Sequence, residues 1–200
     1  MSNNYLGSQL AITTEIERRF LVDGRGNKPW RECHSKVNIK QFYLDSAALE
    51  INSQSISYSG LELVEITPEE HEIIVRENNW VSRIRVADED IILTMKGNRL
   101  HASAIELEWE INSMPKIQIL EQLPHVIKTR YKIVGNDGLM WEIDEFEGSM
   151  AGLIMAEVEL ESQDQVVEIP SWIGMELTGL GNWSNAALAS TLANAGSLKK

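Results

Sequence analysis

The chain has 200 residues, 43% of them hydrophobic, a net charge of −12 and a single cysteine, Cys33. That length suits one globular domain or one large barrel, and no apolar run approaches membrane length. The acidic balance argues against nucleic acid and anionic membranes, and one cysteine excludes an intramolecular disulfide and suits a reducing cytosol.

Residues 13–22 open the pattern with Glu15, Glu17 and Arg19 at alternate positions. On a strand, side chains two apart share a face and lie roughly 7 Å from each other. Two carboxylates at that distance repel by about 2 kcal/mol at an effective dielectric of about 20. A divalent cation would turn that repulsion into attraction, and an anionic ligand would then suit the arginine. Taken alone, the segment reads as a half-exposed strand with a solvated charged face.

Asp23 to Asn27 is turn chemistry, a short helix is expected over 30–38, and a strand over Ile39 to Asp45. Residues 46–79 interrupt the pattern and read as an insertion, with an extra hairpin around 61–67 and 71–76. Trp80 to Ala87 and Ile91 to Lys96 form the next hairpin, carrying Arg83, Arg85 and Lys96. A strand over Ala104 to Ile111 presents Glu106, Glu108 and Glu110 on one side. Pro115 opens a helix to about Leu123. Val126 to Val134, with Lys128 and Arg130, pairs with Leu139 to Phe146, with Glu142 and Asp144, across Gly135-Asn136-Asp137-Gly138. Met150 to Glu161 carries Glu157 and Glu159, and 182–195 is a C-terminal helix. Trp109 and Trp141 have the opposite parity to the charges and read as packing on the outer side, under helices. The first seven residues have no basic or apolar signal region, so a cytoplasmic location is expected.

The charges are segregated by sign: some strands carry only acids on the polar face, others only bases. A polar interior with anionic and cationic walls explains that better than a random surface. It also reconciles a local basic wall with an acidic exterior.

This ordered set resembles the CYTH superfamily, the triphosphate tunnel metalloenzymes, over residues 13–192. Glu15-x-Glu17-x-Arg19 is similar to the family's E-x-E-x-K signature. Gln41-Phe42-Tyr43-Leu44, Arg83-Ile84-Arg85, Leu93-Thr94-Met95-Lys96 and the glutamate strand follow in order. Lys128-Thr129-Arg130-Tyr131, Trp141 to Phe146, Ala156 to Glu159, Glu176-Leu177-Thr178, Asn185 and Leu188 complete it. Three positions depart from the pattern. Arg19 stands for the signature lysine, Ala104 lies near the place of an arginine, and Leu180 to Trp183 lacks the acid and arginine of a D-x-R-Y segment.

The resemblance implies a mainly β (α+β) fold, a closed antiparallel eight-stranded barrel with a few surface helices, as one domain over 1–200. It implies metal-dependent hydrolysis of inorganic tripolyphosphate, as in the short bacterial members. Glu15, Glu17, Glu157 and Glu159 are then metal ligands, and carboxylates suit Mg²⁺ or Mn²⁺. Arg19, Arg83, Arg85, Lys96, Lys128 and Arg130 cradle phosphate, with Glu106, Glu108, Glu142 and Asp144 as supporting acids. A general base must titrate, which a guanidinium does not, so Lys128 is the first choice and Lys96 the second. The alternatives are an organic-triphosphate enzyme (thiamine triphosphatase, nucleoside triphosphatase or class IV adenylate cyclase) and a non-catalytic polyphosphate-binding module. Neither nucleic acid nor a membrane is an expected partner, and a homodimer is left open.

Overall fold

The computed structural model describes residues 16–33, 35–77, 79–97, 105–111 and 120–197. Glu15, Ala104 and most of the helix expected over 115–123 lie outside them. The described strands are β1 (Ile16–Val22), β2 (Lys36–Tyr43), β3 (Leu49–Ile51), β4 (Ser55–Tyr58), β5 (Leu61–Glu65) and β6 (Val81–Ala87). They continue with β7 (Asp90–Lys96), β8 (Glu106–Glu110), β9 (His125–Val134), β10 (Met140–Phe146), β11 (Ile154–Leu160) and β12 (Ile173–Glu176). The helices are α1 (Pro68–Arg76) and α2 (Asn185–Ser197). None among the described residues is long and apolar enough to cross a membrane.

Nine strands form one antiparallel sheet in the order β12-β1-β11-β10-β9-β2-β6-β7-β8, and β3-β4-β5 form a second. The expected closed eight-stranded barrel is therefore incorrect: the large sheet has nine strands and stays open. Its edge strands, β12 and β8, each pair with one neighbour and not with each other. Closure needs a continuous stagger of hydrogen bonds around the whole ring. Here the far edge is only four residues long, and its register against β1 shifts between Phe20 and Val22.

Alternation divides the large sheet into two unlike faces. One face carries Phe42, Ile84, Leu93, Met95, Leu107 and Trp109, which pack against Ile56, Tyr58, Leu63 and Val64 of the small sheet and Ile74 of α1. Leaving any one of these large side chains in water would forfeit about 1.5–3 kcal/mol. On the same face, Trp141 packs with Phe20, Ile143, Ala156 and Val158 beneath Trp30 and Trp172. Trp141 thus lies under a 3-10 turn, Pro29–Glu32, and a loop tryptophan rather than under an α-helix. The helix expected over 30–38 is that single turn, because β2 already begins at Lys36.

Within the 46–79 insertion, residues 61–65 form a strand, but the second arm of the expected hairpin is α1. Thr67 and Glu70 supply its start. The Glu70 amide donates to Thr67 Oγ1 at 3.2 Å and the Thr67 amide donates to Glu70 Oε2 at 2.6 Å, with Pro68 as first helical residue. This reciprocal box favours a helix where the sequence reading expected the second arm of a hairpin. The other Glu70 oxygen accepts from Trp109 Nε1 at 3.0 Å, so a 3% exposed carboxylate ties α1 to β8. Glu70→Ala should cost about 2–4 kcal/mol in urea unfolding, since it removes the box and leaves the indole N–H unsatisfied. A loss under about 0.5 kcal/mol would show that apolar contacts alone hold α1.

Candidate functional site

The other face of the large sheet is charged. Glu17 and Arg19 of β1 point to the same side as Glu157 and Glu159 of β11, Glu142 and Asp144 of β10, and Lys128 and Arg130 of β9. Register sets Arg19 opposite Glu157, Glu17 opposite Glu159, and Arg130 opposite Asp144. Beyond β9, β2 offers the neutral polar pair Gln41 and Tyr43, opposite Arg85 and Arg83 of β6. Lys96 of β7 is opposite Glu106 of β8.

The sheet curls until these distant strands share one cavity of about 420 Å³. Of the cations singled out in the sequence, Arg19, Arg83, Arg85, Lys96 and Arg130 line it. Of the acids, Glu17, Glu142, Glu157 and Glu159 do. Three predicted residues, Lys128, Asp144 and Glu106, are buried behind the walls, and Glu108 is exposed beside Arg85. Lys128 and Asp144 are 0% and 2% exposed. Glu106 pairs with Arg83 at 3.4 Å and Lys96 at 3.2 Å, and Glu108 with Arg85 at 3.5 Å. The other lining residues include Gln41, Tyr43, Asn79, Thr94, Ser184 and Asn185, none of which had been assigned a role from the sequence. Gln41, Tyr43 and Thr94 share the parity of the charges but carry none, so a search for charge alternation passes over them. The positions from α2 had no such signal.

The acidic wall and its arginines are tightly knit. Arg19 donates through Nε to Glu157 at 2.6 Å, through Nη2 to Glu17 at 3.0 Å, and through Nη1 to the Trp183 carbonyl at 3.3 Å. Arg130 grips Asp144 with Nε and Nη2, both at 2.7 Å, reaches Glu157 at 3.3 Å, and also pairs with Glu142. Beneath it Lys128 Nζ donates to Asp144 and sits 5.8 Å from the centre of the Phe146 ring. Burial pushes the Asp144 carboxyl up, but Lys128 and Arg130 outweigh it and hold the group well below the usual carboxylate range. Burial drags the Lys128 ammonium below the ordinary lysine range, against the attraction of Asp144. Glu157 is likewise held low: burial opposes its charge, and Arg19 is the largest counterweight. Burial pushes the Tyr43 phenol up to about 12.

On the cationic wall the contacts are longer, and among the described residues the buried Arg83 Nε has no hydrogen-bond partner. A second hollow, about 740 Å³, lies at the other end of β1, β10 and β11. Its Arg25 and Arg31 pair with Asp23 and Glu145, and Lys28 lines it as well. Among the described residues, no three His, Cys, Asp or Glu are gathered as metal ligands. Even so, the lining set contains the hard carboxylate oxygens that Mg²⁺ or Mn²⁺ requires, with Glu17 directly opposite Glu159.

Asp144 is the keystone of the buried network. Asp144→Asn leaves Lys128 and Arg130 without their shared anion and should cost about 3–5 kcal/mol at pH 7. A depressed carboxylate contributes stability that is fully present above its unfolded value and lost as the pH falls through its folded value. The gap between wild type and variant in urea unfolding should therefore persist above the ordinary aspartate value of 3.8 and shrink below it. A gap that is unchanged at pH 2 would overturn this account.

No family model matches the chain. A protein named inorganic triphosphatase from Acetivibrio thermocellus is 40% identical over 109 residues, 53% of this chain and 69% of that protein. Another of the same name, from Nitrosomonas europaea, is 28% identical over 179 residues, 88% of this chain and 97% of that protein. The crystal structure of the inorganic triphosphatase NE1496 superposes with a TM-score of 0.52 at 27% identity, covering 88% of this chain and 97% of the other. With the ordered motifs and their common polar face, these similarities identify the family: the chain belongs to the inorganic triphosphatases of the CYTH superfamily.

Proposed function

We propose that the protein hydrolyses inorganic tripolyphosphate to diphosphate and phosphate in the 420 Å³ cavity, with Mg²⁺ or Mn²⁺ as cofactor. The observation that carries this reading is the meeting of five cationic and four anionic side chains from six strands in one space. Two relatives bearing the name inorganic triphosphatase support it.

Phosphoanhydride hydrolysis is largely positioning and neutralisation of charge that develops on phosphoryl oxygens. Arg83, Arg85 and Lys96 would bind the anion from one wall, and Arg19 and Arg130 from the other. Arginine forks fit two phosphate oxygens at once, which fixes the chain's orientation. Glu17, Glu157 and Glu159, together with Glu15, would hold the cation. That cation supplies neutralisation of the phosphate oxygens. Glu106, Glu108, Glu142 and Asp144 keep the cationic side chains aimed.

We assign the base to Lys128, with Lys96 second. Burial favours the neutral amine of Lys128, and its loss of a proton leaves Asp144 bound by both nitrogens of the Arg130 fork. The amine lies one side chain beneath the cavity surface, so this assignment requires Arg130 to shift toward the anion and admit water. Tyr43 is the aromatic residue of the described lining, which suits an inorganic chain better than a nucleoside.

The direct test is phosphate release from tripolyphosphate with Mg²⁺ or Mn²⁺, abolished by EDTA. Tight tripolyphosphate binding without release would replace the enzyme with a binding module. Lys128→Arg should lower kcat by about 100-fold with little change in KM, whereas Lys96→Arg should mainly raise KM. The reverse split would move the base to Lys96.

A further inference from the structure

We propose that Arg19 is a clasp: its fork holds Glu17 and Glu157 together in the metal-free site and must release them before they ligate a divalent cation. This inference rests on the metal-dependent reading of the cavity.

The geometry is specific to a guanidinium. Nε and Nη2 point to carboxylates on two different strands, and Nη1 points to the Trp183 carbonyl just before α2. A planar fork can serve these directions simultaneously, whereas an ammonium is a compact point charge on a flexible stem. The Arg19 side chain is 16% exposed, so its charge-assisted bonds are largely sheltered from solvent competition.

The backbone beneath it is pinned. The Arg19 amide donates to Thr178 Oγ1 at 3.0 Å and its carbonyl accepts from the Leu177 amide at 2.7 Å. Release is therefore a side-chain movement. Glu157 tolerates it, because Arg130 also reaches that carboxylate at 3.3 Å. The freed guanidinium remains in the cavity and can turn to a phosphate oxygen. Anion and cation thus favour each other's binding by competing for opposite ends of the same ion pairs. The similarity between Arg19 and the signature lysine hides this difference, since both carry one positive charge.

The test is Mn²⁺ affinity by electron paramagnetic resonance, without any phosphate, for wild type, Arg19→Lys and Arg19→Met. Arg19→Lys keeps the charge and loses the fork, so Mn²⁺ should bind roughly tenfold more tightly, the equivalent of about one charge-assisted hydrogen bond. Arg19→Met removes the charge as well and should bind Mn²⁺ at least as tightly as Arg19→Lys. Tightening in Arg19→Met alone would assign the effect to charge and overturn the clasp. Equal affinity in all three would overturn it as well. If no variant binds Mn²⁺, the metal-dependent reading itself falls, and the clasp with it.

Discussion

Charges on the inner face of a curled sheet must be paired, because a buried ion without a partner costs several kcal/mol. This constraint explains why most acids and bases sit on separate strands, with Glu17 and Arg19 of β1 paired to each other as the exception. Cross-strand neighbours on one face are about 5 Å apart, so an acidic strand beside a basic one pairs its charges by register alone. Asp144 opposite Arg130 on β10 and β9 follows this rule, as do Arg19 opposite Glu157 and Lys96 opposite Glu106. Glu17 opposite Glu159 and Glu142 opposite Glu157 break it, and like charges so placed would suit a cation.

A charged inner face obliges the opposite face to be apolar, and that face then needs a cover. Residues 46–79 are explained in these terms. The small sheet and α1 bury Ile84, Leu93, Met95 and Trp109, while Trp30 and Trp172 roof over Trp141 at the other end. The insertion also ends beside the cavity, where Asn79, with a φ of 65°, joins the lining. A left-handed residue there turns the chain from the outer cover back into β6, and asparagine adopts that conformation more readily than most residues.

Much of this was legible because a strand's period is two and charge is easy to see. Glu17, Arg19, Arg83, Arg85, Lys96, Arg130, Glu157 and Glu159 could be placed on one face from spacing alone, and the cavity unites them. Closure was not legible, since it depends on how the two edges meet. The four-residue β12 carries no charge alternation to signal that a ninth strand would occupy the edge. Depth was hidden as well. Lys128 and Arg130 have identical parity, yet one is buried with Asp144 and the other faces the cavity, because Lys128 is one step nearer Phe146 and the apolar cluster of Val126, Met155 and Leu177. The capping box of α1 is present in the sequence as Thr67-Pro68-Glu69-Glu70, and it, rather than any strand pairing, decides the second arm of the expected hairpin.

The cavity's cations fall into two classes by how firmly they are held. Arg19 and Arg130 have carboxylate contacts as short as 2.6 and 2.7 Å, and both are drawn toward acids that would also serve a metal. Arg83 and Arg85 meet their acids at 3.4 and 3.5 Å, and Arg83 Nε is buried without a hydrogen-bond partner among the described residues. Charge-assisted bonds weaken quickly over that difference. In the proposed function, an incoming anion would therefore meet least resistance at β6, where guanidinium donors can be redirected without breaking a strong pair. Contact with the β1 and β9 arginines would then follow, because each would exchange a carboxylate for a phosphate oxygen. The strand order β1-β11-β10-β9-β2-β6 sets the neutral Gln41 and Tyr43 between these two classes, and so separates the acids that hold Arg19 and Arg130 from the Arg83 and Arg85 wall that would receive the anion.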